Sequence, residues 1–308
     1  MPYFDLQVNG YSGIDFNGGI LDVDRLRAMC NRLAFQGVSG ILATIITDSI
    51  PVMLMRLQRL ARTLGDHADL QRIIQGIHIE GPFINPSPGY RGAHPEDAII
   101  PANITIMKQL LDAADGFTAL VTLAPECDAG SRVTRMLAEN NIVVSAGHTN
   151  ASRDNLMASI DAGLTMFTHL GNGCPATMPR HDNIVQRALS LRESLWLCFI
   201  ADGVHIPFYA LKNYLDLVGI EKSIVVTDAI VASDLGPGCH EFGRWKLSIG
   251  DDLVARSPDG SHLVGSTVTM PQSFVNLTEG LGLSVQDALT LLEVNPRIAL
   301  QKTLRILQ

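Results

Sequence analysis

Four residues able to bind a metal or move a proton stand at the ends of short apolar, β-branched runs. Glu80 closes IQGIHIE, His148 closes IVVSAGH, His169 stands in TMFTHL, and Asp228 closes SIVVTD. If these runs are parallel strands of one closed barrel, their carboxyl ends open onto a single face, and residues far apart in sequence meet at one mouth. Two imidazoles and a carboxylate make a ligand set suited to Zn2+ or Fe2+, with one position left for water. An Asp with no required ligand role can then take a proton from that water. Taken singly, each residue has a plainer reading: a strand-end His as a hydrogen-bonding group, a carboxylate as the cap of the next helix. Four on separate strands of one face are much harder to explain by capping.

The elements that must position them alternate along the chain. Candidate strands span 3–8, 41–47, 74–80, 118–124, 142–148, 165–170, 195–201 and 223–228. Near-continuous apolar strands suit a parallel sheet covered on both faces. Helical periodicity fills the gaps at 23–36, 52–64, 131–140, 152–162, 183–191 and 207–218, with a last helical stretch at 284–301. Pro51, Pro101 and Ser152 stand where helices would start, and Gly37, Gly65 and Gly163 where they would stop. Eight strands with helical crossovers point to an α/β fold of the (β/α)8, or TIM-barrel, type. A doubly wound open sheet is the alternative, weakened because no GxGxxG follows the first strand.

Two regions break the rhythm. Residues 81–100 form a long Pro- and Gly-rich loop after the third strand, and residues 235–264 alternate apolar and polar residues around SPDG, as a small β-hairpin insert would. With no repeat or linker in view, residues 1–308 read as one domain.

Composition narrows the class. The 308 residues are 46% hydrophobic, enough for a large core. No stretch of about 18 uncharged apolar residues suggests a membrane span, and MPYFDLQVNG does not resemble a secretory signal. The net charge of -8 argues against a general nucleic-acid binder, though not against an anionic small molecule. Cys30, Cys127, Cys174, Cys198 and Cys239 are scattered, and read as reduced thiols of a cytoplasmic protein.

HIEGPF (78–83), GAH (92–94), GHTNA (147–151), THLGN (168–172), ADGVH (201–205), VTDA (226–229), GS (265–266) and NP (295–296) come in an order that resembles the N-acetylglucosamine-6-phosphate deacetylases of the amidohydrolase superfamily. The resemblance covers nearly the whole chain, and GHTNA with an upstream HIEGPF is its most specific part. It implies that Glu80, His148 and His169 are metal ligands. It also implies that Asp228 activates the attacking water and then protonates the leaving amine. By the same resemblance His94 contacts the scissile carbonyl and His205 the anomeric hydroxyl of the sugar. Asn172 and the Gly173 backbone stand where the family holds the phosphate. Arg180 aligns with a phosphate-binding Arg that comes from the neighbouring subunit of a dimer, so a homodimer is expected. A bidentate Arg suits phosphate better than Lys does.

The chain also departs from the family. Many amidohydrolases carry HxH on the first strand and hold two metals; here Gln7 and Asn9 take those positions. Neutral amides are weak ligands, so one divalent ion per chain, Zn2+ or alternatively Fe2+, is expected. Some deacetylases of the family share this change, so it does not imply a dead enzyme. Gly171 and Gly173 stand where the family tends to have a larger residue and Ala, and MPRHDN replaces a more usual REPG segment. Family members add a β-sandwich before the first strand and after the last helix; this chain resembles a barrel without most of it. The implied reaction is hydrolysis of the acetamide of N-acetylglucosamine 6-phosphate. Two alternatives are an amidohydrolase for another N-acyl amino sugar or a cyclic amide, and a non-catalytic sugar-phosphate-binding barrel.

Overall fold

The computed structural model describes residues 2–260 and 262–307. Eight parallel strands follow one another around a barrel: β1 Tyr3–Val8, β2 Val38–Ile46, β3 Ile74–Glu80, β4 Thr118–Leu123, β5 Val143–Ala146, β6 Leu164–Phe167, β7 Trp196–Ile200 and β8 Ser223–Val226. The helices that cross between them are α1 Val23–Phe35, α2 Ile50–Asp66, α3 Ile104–Ala113, α4 Arg132–Glu139, α5 Arg153–Asp161, α6 Ile184–Leu189 and α7 Phe208–Val218. After β8 come α8 Met270–Val275, α9 Val285–Leu289 and α10 Asn295–Leu307. No helix among the described residues is long and apolar enough to cross a membrane.

Register brings the strand ends level. Ile46 pairs with Glu80, Glu80 with Thr122, Thr122 with Ser145 and Ser145 with Met166, one row running across five strands. Along each strand alternate residues face the barrel interior. The lower interior is apolar, with Phe4, Leu6, Leu42, Leu120, Met166 and Ile200 packed against Leu300 of α10. One step higher it turns polar: His78 Nε2 lies 2.8 Å from Thr122 Oγ1, and the Thr168 hydroxyl bridges Thr122 (2.8 Å) and Ser145 (2.6 Å). These bonds tie β3 to β6 directly beneath the strand ends.

The seam between β1 and β8 closes differently. Val8 bridges Ala229, and the Asn9 amide donates to the Ala229 carbonyl at 2.8 Å. Lower down the buried Asp5 carboxyl accepts from the Thr227 amide and hydroxyl. Burial pushes the Asp5 carboxyl up to about 7, against the pull of those Thr227 hydrogen bonds.

Helix starts are set by polar caps. Asp22, Asn103 and Asn183 accept from amides in the first turns of α1, α3 and α6, and Ser152 forms a capping box with Asn155 at α5. Asn103, not Pro101, therefore starts the third helix. The insert also differs from its expected form. Its hairpin is β9 Gly238–Phe242 and β10 Trp245–Ile249, turning at Gly243–Arg244. SPDG instead makes a separate turn, flanked by a bridge from Arg256 to Leu263. Gly243 has φ +53, which favours the tight turn there.

Candidate active site

Glu80 is the last residue of β3, but His148, His169 and Asp228 each lie two positions beyond their strands. The expected strands 142–148, 165–170 and 223–228 are thus too long at their carboxyl ends. Each of the three residues has a positive φ, at 50°, 31° and 52°. Left-handed backbone is costly for a non-Gly residue and cannot continue a parallel ladder. Its use at all three positions turns the chain at the barrel rim.

The three metal-type residues converge. Nε2 of His148 and Nε2 of His169 lie 3.2 and 3.1 Å from Glu80 Oε1, and one ligand atom from each residue falls within 4.8 Å of the others. All three side chains are buried. His148 Nδ1 donates to the Tyr90 carbonyl at 2.8 Å, which fixes the ring with Nε2 turned toward Glu80. His169 Nδ1 is buried with no partner among the described residues. Burial opposes ionisation of Glu80, but hydrogen bonds from His148 and His169 outweigh it and hold the carboxyl well below its ordinary range. A buried carboxylate with two imidazole nitrogens around it is a chemically suitable donor set for a divalent ion.

The side-chain amides of Gln7 on β1 and Asn9 just beyond it act as donors. Gln7 Nε2 sits 3.1 Å from both Glu80 oxygens, and Asn9 Nδ2 donates to Asp228 Oδ1 at 2.7 Å. Both orient carboxylates. Burial, reinforced by the charge of Glu80, pushes the Asp228 carboxyl up to about 6, while His169 and the Asn9 bond oppose the rise.

Around this cluster opens a cleft of about 760 Å³, lined by Glu80, His94, His148, His169, Asp228 and His205 among others. His94 Nε2 lies 3.3 Å from His148 Nε2, and His94 Nδ1 lies 2.8 Å from Thr47 Oγ1. Burial and the neighbouring His148 drive the His94 imidazole down to about 3, so it is neutral. His205 Nδ1 is 2.6 Å from Asp202 Oδ2, which commits that nitrogen as a donor.

The residues expected at the phosphate end divide. Asn172 and Gly173 line the cleft, and Asn172 Nδ2 is a buried donor with no partner among the described residues. Gly173 has φ +63, and a Cβ there would stand 2.8 Å from His148 Nδ1, so in this chain a side chain at 173 would require the His148 ring to shift. Arg180 is exposed and does not line its own chain's cleft. Arg91, which sequence reasoning did not single out, is the one Lys or Arg side chain lining the cleft among the described residues. It stands in RGAH, three positions before His94, and that proximity was its only signal. Thr47 and Trp245 were also missed, because each matters through a contact with a residue distant in sequence, and Asp202 was missed although its partner His205 lies three residues on in ADGVH.

No protein-family model matches the chain. Individual proteins do. It is 31% identical over 286 residues to the N-acetylglucosamine-6-phosphate deacetylase of Bacillus subtilis (strain 168), covering 92% of this chain and 70% of that protein. It is 32% identical over 304 residues to the N-acetylgalactosamine-6-phosphate deacetylase of Shewanella sp. (strain ANA-3), covering 97% and 73%. In three dimensions it matches a mutant N-acetyl-D-glucosamine-6-phosphate deacetylase from Mycobacterium smegmatis, in complex with N-acetyl-D-glucosamine-6-phosphate. The TM-score is 0.87 at 29% identity, over 97% of this chain and 77% of that one. The Thermotoga maritima N-acetylglucosamine-6-phosphate deacetylase matches with a TM-score of 0.84 at 27% identity, over 97% and 78%.

An eight-stranded parallel barrel whose mouth gathers a carboxylate, two imidazoles and a further aspartate has the architecture of a metal-dependent amidohydrolase. Within that class the relatives are deacetylases that match along almost the entire chain. The chain belongs to the N-acetylglucosamine-6-phosphate deacetylase family.

Proposed function

We propose that this protein hydrolyses the acetamide of N-acetylglucosamine 6-phosphate to glucosamine 6-phosphate and acetate, in the cytoplasm, as a homodimer with one Zn2+ per chain. The observation that carries the reading is the convergence of Glu80, His148 and His169 beside Asp228, whose carboxylate is held by the Asn9 amide. Glu80, His148 and His169 would hold the ion. A divalent ion there supplies Lewis acidity, polarising the amide carbonyl and making water nucleophilic near neutral pH.

The chain's own groups account for the rest. Asp228, ionised above about 6, accepts the proton of the attacking water and returns it to the leaving amine. Asn9 holds one of its oxygens, which leaves the other for that proton. Neutral His94 stabilises the developing oxyanion only if Nε2 carries its proton. The Thr47 hydroxyl must then donate to His94 Nδ1 rather than to the Glu80 carbonyl 3.2 Å away. With Nδ1 committed to Asp202, His205 can accept from the anomeric hydroxyl through Nε2. The unpartnered Asn172 amide and the Gly173 backbone receive the phosphate. Arg180, which is exposed and does not line its own cleft, reaches the phosphate of the partner subunit's site. Gln7 and Asn9 already donate to Glu80 and Asp228, which supports a single ion.

The deciding experiment measures acetate release from 6-phosphorylated and unphosphorylated N-acetylhexosamines of gluco and galacto configuration. The glucosamine 6-phosphate derivative is expected to have the highest kcat/KM. A galacto preference would move the assignment to the N-acetylgalactosamine-6-phosphate branch of the relatives, and a phosphorylated-to-neutral ratio near one would remove the phosphate reading.

A further inference from the structure

The tip of the insert hairpin reaches the catalytic face at several points. Trp245 Nε1 donates to the Ala93 carbonyl at 2.9 Å, one residue before His94. Arg244 Nη1 lies 3.0 Å from both carboxylate oxygens of Asp97, three residues after His94. The same guanidinium, through Nη2 and Nε, grips Oδ1 of Asp48, the residue that follows Thr47. The Gly243 amide donates to Asp15 Oδ2 at 2.8 Å. Two adjacent residues therefore hold the chain on both sides of the hydrogen bond between Thr47 and His94.

Within its own loop His94 is held by its amide hydrogen bond to the Arg91 carbonyl at 3.0 Å and by the Arg91–Glu96 ion pair at 2.7 Å. It rides on the long loop between β3 and α3, where Ser87, Arg91 and Pro95 form short turns but no ladder. Asp48 is itself a firm anchor. It is buried, paired with Arg56 at 3.0 Å, and accepts from the Ser49 amide at 2.8 Å.

We propose that Arg244 and Trp245 are positioning residues for His94, so that the insert sets the place of the carbonyl-facing imidazole over the metal cluster. The inference rests on the His94 role given under Proposed function. It extends that role to a pair of side chains outside the barrel. Arg244 does not line the cleft, so its influence on the reaction passes through the loop it clamps. Trp245 does line it, and so joins the loop anchor to the substrate-facing wall. A misplacement of about 1 Å in a catalytic group, caused from a distance, can cost about a hundredfold in rate.

The test uses the metal-loaded full chain and four variants: Arg244→Met, Trp245→Phe, His94→Ala, and Arg244→Met combined with His94→Ala. Arg244→Met leaves Asp48 paired with Arg56, so no buried carboxylate is stranded. Trp245→Phe keeps an aromatic ring but removes the donor and the pyrrole part of the indole, and serves if Arg244→Met folds poorly. On N-acetylglucosamine 6-phosphate, Arg244→Met is expected to lower kcat about ten- to a hundredfold with KM changed less than about threefold. Trp245→Phe should lower it in the same sense. In the His94→Ala background Arg244→Met should add less than about twofold, because the group it positions is gone. Wild-type kcat in both Arg244→Met and Trp245→Phe overturns the proposal, and so does an undiminished Arg244→Met loss in the His94→Ala background. A His94→Ala enzyme with wild-type kcat overturns the His94 role itself, and the tether with it, and so marks a different failure from that of the tether alone.

Discussion

The two walls of the cleft are built to different standards. At the strand ends the carboxylates are held by side chains from neighbouring strands: Gln7, His148 and His169 on Glu80, and Asn9 on Asp228. Across the cleft, residues 171–180 hold Gly171 and Gly173 in left-handed backbone, leave the Asn172 amide without a partner, and expose Arg180. The first wall is preorganised by strands; the second is a loop whose donors wait for an anion. Bond-making chemistry belongs on the rigid side, and the choice of sugar on the side that can vary without disturbing the barrel.

Breaking the rigid wall should cost most. Asp228→Asn is nearly isosteric but cannot accept a proton, so kcat should fall about 100- to 10,000-fold while the metal stays bound. Metal content and turnover on the same sample check this; activity within a few-fold of wild type would take Asp228 out of the reaction. The loop side should show smaller and selective losses. Asn172→Ala and Arg180→Ala should each reduce kcat/KM for the phosphorylated sugar by about ten- to a hundredfold, the span of one lost charge-assisted contact. The neutral sugar should be nearly unaffected. Equal losses on both sugars would mean that these residues shape the site rather than read phosphate.

The same contrast has a pH signature. Because the Asp228 carboxyl is pushed up to about 6 and acts as a base, kcat/KM should fall about tenfold per pH unit below that value. A flat profile between pH 5 and 7 would contradict it. Asp5 tests the seam rather than the site. Its folded-state value, raised to about 7 from 3.8, means that the native protein holds a proton the unfolded chain releases. Stability from this group is present at low pH and lost as pH rises from about 4 to 7, at roughly 1.4 kcal/mol per unit. Asp5→Asn can still accept from the Gln7 and Thr227 amides, and should flatten that slope. Urea titrations at pH 5 and 8 would reveal it; identical pH dependence in both proteins would show that Asp5 is ionised in the fold.

Much of this molecule was legible in its sequence because barrel strands are local and periodic. β1, β3 and β4 lie where the apolar runs place them to within a residue, and Glu80 of the candidate metal cluster stands at the end of one of them. What stayed hidden was not periodic. The positive φ of His148, His169 and Asp228 leaves no mark on composition, so three strands read too long. The hairpin turns at Gly243–Arg244 rather than at SPDG because Asp15, Asp48, Asp97 and the Ala93 carbonyl meet its tip, and those partners lie about 150 to 230 positions away. Asp5 was silent for the same reason, its partner Thr227 being 222 residues distant. Arg180, which the resemblance assigns to a neighbouring subunit's site, is exposed and does not line its own cleft.

The most direct measurement is acetate release from N-acetylglucosamine 6-phosphate before and after chelation, with divalent ion then titrated back. The account predicts that chelation abolishes turnover and that activity returns in full at about one equivalent of metal per chain, as a single Glu80–His148–His169 site requires. Undiminished release from the metal-free protein, or full recovery only at two equivalents, would contradict it.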